Sequence, residues 1–311
     1  DSTLFEATLA RCDAAAGFAP PVVVTGTAHV SHIEEQLPDP EGSQVIVEPS
    51  ARNTAAAIAL AALRLPPEAV MLVCPSDHHI ADVAAFRAAA MKAADLARQG
   101  WLVSIGIEAK SPETGFGYLQ RGEAIGELGF RTARFVEKPD LARAQQFLEE
   151  GNYAWNGGIF AFTAGGFLKE LDLHAPLILA AVRDAVAQGH AEGHFFHPHA
   201  ERFADAPSIS VDYAVMERTG HKAMVPADMG WSDIGSWDAL HAALPRDDRS
   251  NSHKGRVELV DCRNVLVDSD GPRVSVIGLE DVVVVIDGDE VLVTSHAGAQ
   301  KVGKLHGAAN Q

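Results

Sequence analysis

The sequence predicts an α/β fold, a mostly parallel sheet with helices on both faces, followed by a small all-β appendage. Three observations carry this. Short β-branched runs alternate with Ala- and Leu-rich segments of helical length as far as Ile107. From Glu108 to Glu137, Gly-punctuated and alternating stretches break that rhythm, as an inserted antiparallel layer does. Beyond Arg246 the chain changes to short β-rich runs about ten residues apart. The implied domains are 1–246 and 247–311.

Each element has a local reason. Thr3 and Glu6 have capping-box spacing ahead of Leu4, Phe5 and Leu9, so a helix opens the chain. Pro21 to Thr25 reads as a strand, Ala28 to Leu37 as a helix, and Gln44 to Glu48 as a second strand. Asn53 is placed to cap an Ala-rich helix through Leu65. Val70 to Cys74 has the β-branched content of a buried parallel strand and stops at Pro75-Ser76-Asp77. Asp82 caps a long helix, Val83 to Arg98, which Gly100 closes. Trp101 to Ile107 is the next strand. GFGYLQRG at Gly115 to Gly122 precedes the alternating strand Arg131 to Glu137. Helix Leu141 to Glu150, strand Gly158 to Phe162, helices through Gln188, a polar loop from Gly189 to Pro207 and helix Val211 to Arg218 follow. The appendage runs VELVD, VLVDS, VSVIG, DVVVVID and EVLVTS fit either a meander or a few coils of a β-solenoid.

Composition excludes several classes of protein. A chain of 311 residues, 47% of them hydrophobic, supports one large core and a smaller unit. A formal charge of −17 argues against nucleic acid or anionic membrane as a general partner. No apolar run approaches the roughly twenty residues that span a bilayer. Cys12, Cys74 and Cys262 are odd in number, separated in sequence and lack a CxxC pair, which fits a reducing, cytoplasmic setting without disulfide framework or structural zinc. The chain opens on Asp1 and not on Met, which predicts residues ahead of it.

Four constellations follow strands, where open α/β sheets bind ligands. Asp77, beside His78 and His79, is placed to hold a metal ion or a substrate hydroxyl, or to cap a helical turn. Glu48-Pro49-Ser50-Ala51-Arg52-Asn53-Thr54 ends a strand in a carboxylate and opens a helix whose N-terminus favours an anion; a solvated loop and cap is the alternative. Phe135-Val136-Glu137-Lys138-Pro139 leaves an acid and a base at a strand mouth, where a solvated surface pair is also possible. Gly230 to Trp237, GWSDIGSW, sets Asp233 in a Gly- and Trp-rich turn, as a built site or a packed helix entry. His190, His194, His197 and His199 have zinc-compatible spacing but fall in the polar loop, where solvated histidines are expected. No G-x-S-x-G, G-x-G-x-x-G or P-loop is present.

Taken together, EPSARNTAAAIALAAL, PSDHHI, GFGYLQ, FVEKP, WNGGIF, SVDYAVME and GWSDIGSW resemble the mannose-1-phosphate guanylyltransferases of the sugar nucleotidyltransferase family, through to about Trp237. FVEKP alone indicates the wider group; RNTA, SDHHI and WSDIGSW point to the mannose enzymes. The family's LAGGxGxRLxPLS-like phosphate loop is absent ahead of DSTLFEAT, and the chain ends without a cupin-like isomerase domain, so a monofunctional enzyme with a preceding loop is expected.

The resemblance implies a Rossmann-like fold of the nucleotide-diphospho-sugar transferase type. It also implies transfer of a guanylyl group from GTP to mannose 1-phosphate, giving GDP-mannose and pyrophosphate, by a homodimer. Asp77 and Asp233 are then magnesium ligands, and Lys138 contacts the sugar phosphate. Glu137, Asn156 and the Gly117-Tyr118 backbone face mannose hydroxyls, with Asp212 in addition. Ser76, Asp77, Glu48, Arg52, Asn53 and Thr54 form the nucleotide side. Glu48 is assigned the guanine N1–H and exocyclic amine, adjacent donors that a carboxylate accepts. Two alternatives stay open: a transferase using dTTP or UTP with glucose 1-phosphate, and a non-catalytic homologue that senses nucleotide sugars.

Overall fold

The structure, a computed structural model, describes residues 2–305 and divides into two compact units. One runs up to Ser76 and resumes over Asp82–Trp231; the other joins Asp77–Ala81 to the residues from Ser232 onward. The composition shift at Arg246 falls within the second unit.

The first unit begins with α1 (Leu4–Arg11), closed by the expected capping box: Glu6 N–H donates to Thr3 Oγ1 at 3.1 Å and Thr3 N–H to Glu6 Oε2 at 2.8 Å. β1 (Val22–Gly26), α2 (Val30–Gln36), β2 (Gln44–Glu48), α3 (Asn53–Ala62) and β3 (Val70–Val73) follow. After β4 (His79–Ile80), which belongs to the other unit, come α4 (Val83–Arg98), β5 (Leu102–Glu108), β6 (Tyr118–Ile125) and β7 (Gly129–Val136). The unit continues with α5 (Leu141–Glu150), β8 (Tyr153–Thr163), α6 (Ala164–His174), α7 (Pro176–Ala187), β9 (His190–Glu192), β10 (Phe195–His197), α8 (Ala200–Ala204) and β11 (Lys222–Pro226).

These strands form two sheets. In the six-stranded one, ordered β3-β8-β5-β11-β7-β6, β3, β5 and β11 point the same way, and β8 runs against both β3 and β5. β6 and β7 pair antiparallel, which is the inserted layer. The other sheet, β1-β2-β10-β9, is parallel over its first three strands. Helix α4 packs on the larger sheet through Phe86, Ala89, Ala90, Ala93, Leu96 and Ala97, a stripe at helical spacing that is buried throughout. Full burial of Leu96 and Phe86 is worth roughly 1.5–3 kcal/mol each. Helix α3 is apolar almost all round and lies buried between β1, β2, α6 and α7.

Two local expectations are corrected, and a third observation concerns the cysteines. The segment 189–207 is not irregular: it holds the β9–β10 hairpin and α8. Three-residue strands show no periodicity, and what orders them is tertiary, since Phe196, 5% exposed, pairs with Ile46 of β2. The helix expected over Val211 to Arg218 is a π-type turn, Asp212–Met216. Cys12 and Cys74, far apart in sequence, share a hydrogen bond that lowers the Cys12 thiol and raises that of Cys74; both are free.

β4 pairs with β12 (Trp231–Ser232), the strand at which the second unit resumes, and α9 (Trp237–Ala243) of that unit is capped by Ser236 Oγ, which accepts the Ala239 N–H at 3.2 Å. β13 (Ser252–Lys254), β14 (Val257–Val260), β15 (Leu266–Ser269), β16 (Val274–Ile277), β17 (Val282–Asp287) and β18 (Glu290–Ser295) complete it. A meander pairs neighbours antiparallel. Here β13, β15 and β17 pair parallel in series, as do β14 and β16, so the unit is a short β-solenoid closed by the antiparallel β17–β18 hairpin. Cys262, Val265, Val267, Val276 and Val284 fill its interior. Among the described residues no helix is long and apolar enough to cross a membrane.

Candidate active site

A cleft of about 460 Å³ in the first unit is lined by Asn53, Thr54, Glu137, Lys138, Asp212 and Tyr213, with Ser208, Ile209 and Ser210 along one side. Two hydrogen bonds build that side. Val211 N–H donates to Thr54 Oγ1 at 2.8 Å, and Ala55 N–H donates to the Ile209 carbonyl at 3.3 Å, tying the start of α3 to the segment before the π-type turn. Asn53, at φ 65, enters the helix in the left-handed region, and its side-chain oxygen accepts the Thr54 N–H at 2.8 Å.

The opposite side is made where β7 ends. Glu137 N–H donates to Glu217 Oε1 at 2.8 Å, fixing the strand mouth, and Lys138 turns sharply at φ 46 before Pro139. The Lys138 ammonium is 3.8 Å from Glu137 Oε1, yet its side chain is 58% exposed against 10% for the glutamate. Such a pair leaves the ammonium able to engage an anion. Glu137 Oε2 is buried without a hydrogen-bond partner. Burial pushes the Glu137 carboxyl up to about 7, with Asp212 and Glu217 adding to the rise and Lys138 opposing it.

Asn156 stands on β8 and is buried. Its Nδ2 donates to Asp212 Oδ1 at 2.9 Å, its own N–H reaches the Gly117 carbonyl at 2.8 Å, and its Oδ1 accepts the Gly158 N–H at 3.2 Å. Burial raises the Asp212 carboxyl, against the pull of its backbone hydrogen bond and of Asn156. Gly117 lets the chain pass close to the site: a Cβ there would stand 2.5 Å from Glu137 Oε2, displacing the glutamate carboxylate, and 3.2 Å from the Asn156 Cβ. The Tyr118 side chain points elsewhere, into a core with Ala144 and Phe147, and its hydroxyl donates to the Glu113 carbonyl at 2.9 Å.

At the end of β2, Glu48 Oε1, Ser50 Oγ and Arg52 Nε are buried and unpartnered, and burial pushes the Glu48 carboxyl up to about 7. Ser76 is exposed at the end of the first unit's opening segment, its carbonyl 3.5 Å from Thr8 Oγ1. Asp77 and Asp233 both belong to the second unit. Asp77 is exposed. Asp233 lies in a turn with Ile234 at φ 50, where its Oδ1 accepts the Gly235 N–H at 3.2 Å. Two carboxylates with oxygen atoms to spare are a donor set that suits magnesium, which takes one or two carboxylates and fills its remaining positions with water and substrate phosphate.

Sequence reasoning missed Glu217, Ser208, Ile209, Ser210 and Tyr213. Ser210, Tyr213 and Glu217 stand in SVDYAVME, so the signal was present; that Glu217 holds the neighbouring strand mouth was not visible in it.

An open α/β layer carrying a cleft with buried oxygen acceptors on one wall and an exposed ammonium at its rim is equipped to hold a polyhydroxylated, anionic small molecule. Comparison with known proteins sharpens this. Residues 1–250 match the family described as Nucleotidyl transferase, and residues 255–306 match the MannoseP isomerase/GMP-like beta-helix domain. The chain belongs to the nucleotidyl transferase family. Xanthan biosynthesis protein XanB of Xanthomonas campestris pv. campestris (strain B100) is 42% identical over 98% of the chain, and mannose-1-phosphate guanylyltransferase of Escherichia coli (strain K12) is 40% identical over 98%. The chain spans 66% of the length of each. A crystal structure from Thermus thermophilus, described as a mannose-1-phosphate geranyltransferase, is 30% identical and superposes with a TM-score of 0.87 over 100% of this chain and 90% of its own.

Proposed function

We propose that the protein transfers a guanylyl group from GTP to mannose 1-phosphate, releasing pyrophosphate and forming GDP-mannose. The observation that carries this reading is the cleft that Glu137 and Asp212 line beside Lys138, with buried Asn156 hydrogen-bonded to Asp212, in a chain 40% identical to a mannose-1-phosphate guanylyltransferase. Oxygen acceptors suit sugar hydroxyls, and an exposed ammonium beside them suits the 1-phosphate.

The reaction needs no protein nucleophile. A phosphate oxygen of the sugar forms a bond to the α-phosphorus as the bond to the β-phosphate oxygen breaks, so catalysis consists of positioning and charge neutralisation. Glu137, Asn156 and Asp212 orient the sugar, and Lys138 draws its phosphate to the strand mouth. Glu48 accepts guanine N1–H and amine, with Arg52, Asn53 and Thr54 as the rest of the nucleotide wall. Asp77 and Asp233 would hold a magnesium ion, which supplies charge neutralisation on the triphosphate when bound.

The test is pyrophosphate release by the full-length gene product with magnesium and a matrix of nucleoside triphosphates and hexose 1-phosphates. GTP with mannose 1-phosphate should lead. Preference for dTTP or UTP with glucose 1-phosphate would replace the assignment by another transferase. Tight binding of nucleotide sugar without turnover would make the protein a sensor.

A further inference from the structure

The geometry points to a second metal site, unrelated to the cleft: we propose that the β9–β10 hairpin binds one zinc-class divalent ion through His190, Glu192 and His197. In the antiparallel register His197 stands opposite His190, and Glu192 is two residues along the same strand, so all three side chains project from one face. The two imidazole rings stack with centroids 5.1 Å apart and planes 18° apart. One imidazole nitrogen from each histidine and a Glu192 carboxylate oxygen all lie within 4.8 Å of one another. Donors bound to a single tetrahedral zinc stand about 3.3 Å apart, given bonds of about 2.0–2.1 Å. Side-chain rotation closes that difference without moving the backbone.

The scaffold beneath is held from several sides. Gly193, at φ 59, makes the turn. Phe195 and Phe196 pair with Val45 and Ile46 of β2, and Val45 N–H donates to the His194 carbonyl at 2.9 Å. Phe196 is buried on the reverse face with the Arg64 guanidinium 3.8 Å over its ring. After the hairpin, His199 N–H donates to the Ala185 carbonyl at 2.9 Å. With the backbone held in this way, only side-chain rotation remains to be fixed when an ion arrives, which favours binding. Among the described residues this is also the group in which three such donor atoms converge.

Donor chemistry selects the ion. Two imidazoles and one carboxylate suit zinc, with water in the fourth position, or cobalt and nickel in its place; magnesium, which prefers oxygen donors, is discriminated against. β9 is the outer strand of its sheet and only three residues long, so an ion shared between β9 and β10 would clip that edge to the sheet.

The experiment is isothermal titration of chelator-stripped full chain with ZnCl₂ in millimolar magnesium, which occupies any oxygen-donor site. It is repeated with CoCl₂, whose visible absorption reports nitrogen and oxygen ligation. One equivalent should bind with low-micromolar affinity. His190→Ala and His197→Ala should each weaken it at least tenfold, Glu192→Gln several-fold with the fold unaltered, and the exposed His253→Ala not at all. Amide exchange in β9 and β10 should slow on zinc addition. Unchanged zinc affinity in His197→Ala or Glu192→Gln, or no binding to the parent chain, would overturn the proposal.

Discussion

Asn156 Nδ2 donates to Asp212 Oδ1 at 2.9 Å, joining strand β8 to the π-type turn across 56 residues of sequence. Removing that donor leaves a buried carboxylate with its backbone hydrogen bond alone. Asn156→Ala should therefore destabilise the protein by about 1–3 kcal/mol and raise the Asp212 pKa further. Urea unfolding measures the first effect, and KM for mannose 1-phosphate should rise more than KM for GTP. Equal changes in both would mean that the wall serves packing alone.

Lys138 holds a left-handed backbone at φ 46 with a largely exposed side chain. Glycine is at ease there, so Lys138→Gly should gain up to about 1 kcal/mol of stability while losing sugar-phosphate affinity. Lys138→Met should lose the affinity without the gain. Thermal melts beside KM values separate the two effects; loss of stability in Lys138→Gly would show the turn to be unstrained.

Asp77→Asn and Asp233→Asn should each lower turnover by powers of ten, on the order of 4 kcal/mol of transition-state stabilisation, with circular dichroism unchanged. The magnesium concentration at half-maximal rate should rise in both. A near-normal rate in Asp233→Asn would return GWSDIGSW to a structural turn.

Glu48 Oε1 is buried with no partner, the condition of an acceptor waiting for a donor. A site built to satisfy guanine rejects a base that leaves it unpaired, so Glu48→Gln should erode the preference for GTP over dTTP before it affects mannose 1-phosphate. An unchanged kcat/KM ratio between the two nucleotides would remove Glu48 from base reading.

Glu48 and Glu137 both stand near 7, raised by burial from an ordinary 4.5. Between those values the folded protein holds more protons than the unfolded chain. The stability these groups contribute is complete below about pH 4.5 and is lost as pH rises to about 7; the full shift corresponds to about 3 kcal/mol for each, which solvent screening of these incompletely buried groups reduces to the order of 2 kcal/mol. Glu48→Gln with Glu137→Gln should flatten the fall in ΔG across that window; a profile identical to the parent's would show both groups titrating normally.

Helix α4 could be read in full from the sequence because its determinants are local. Asp82 accepts the Ala85 N–H at 2.9 Å, the buried stripe recurs every three or four residues, and Gly100 at φ 90 ends it. Strand β2 was equally legible, as were the residues at strand mouths, since an acid or lysine at the end of an apolar run needs no distant partner to be noticed. The family resemblance rested on the same local strings.

Other features depended on residues far apart in the chain. The solenoid and the meander share one strand spacing, and only the parallel register of Val257 with Val274 and Leu266 with Val283 separates them. The hairpin that lines up His190 with His197 exists because Phe196 finds β2, some 150 residues earlier. Glu217 came to hold the strand mouth only when folding brought its carboxylate to the Glu137 N–H. Local sequence determines which segments turn helical or extended, because caps and periodicity act within a few residues; which strands meet is decided by burial and hydrogen bonding over the whole chain, and no short stretch encodes that.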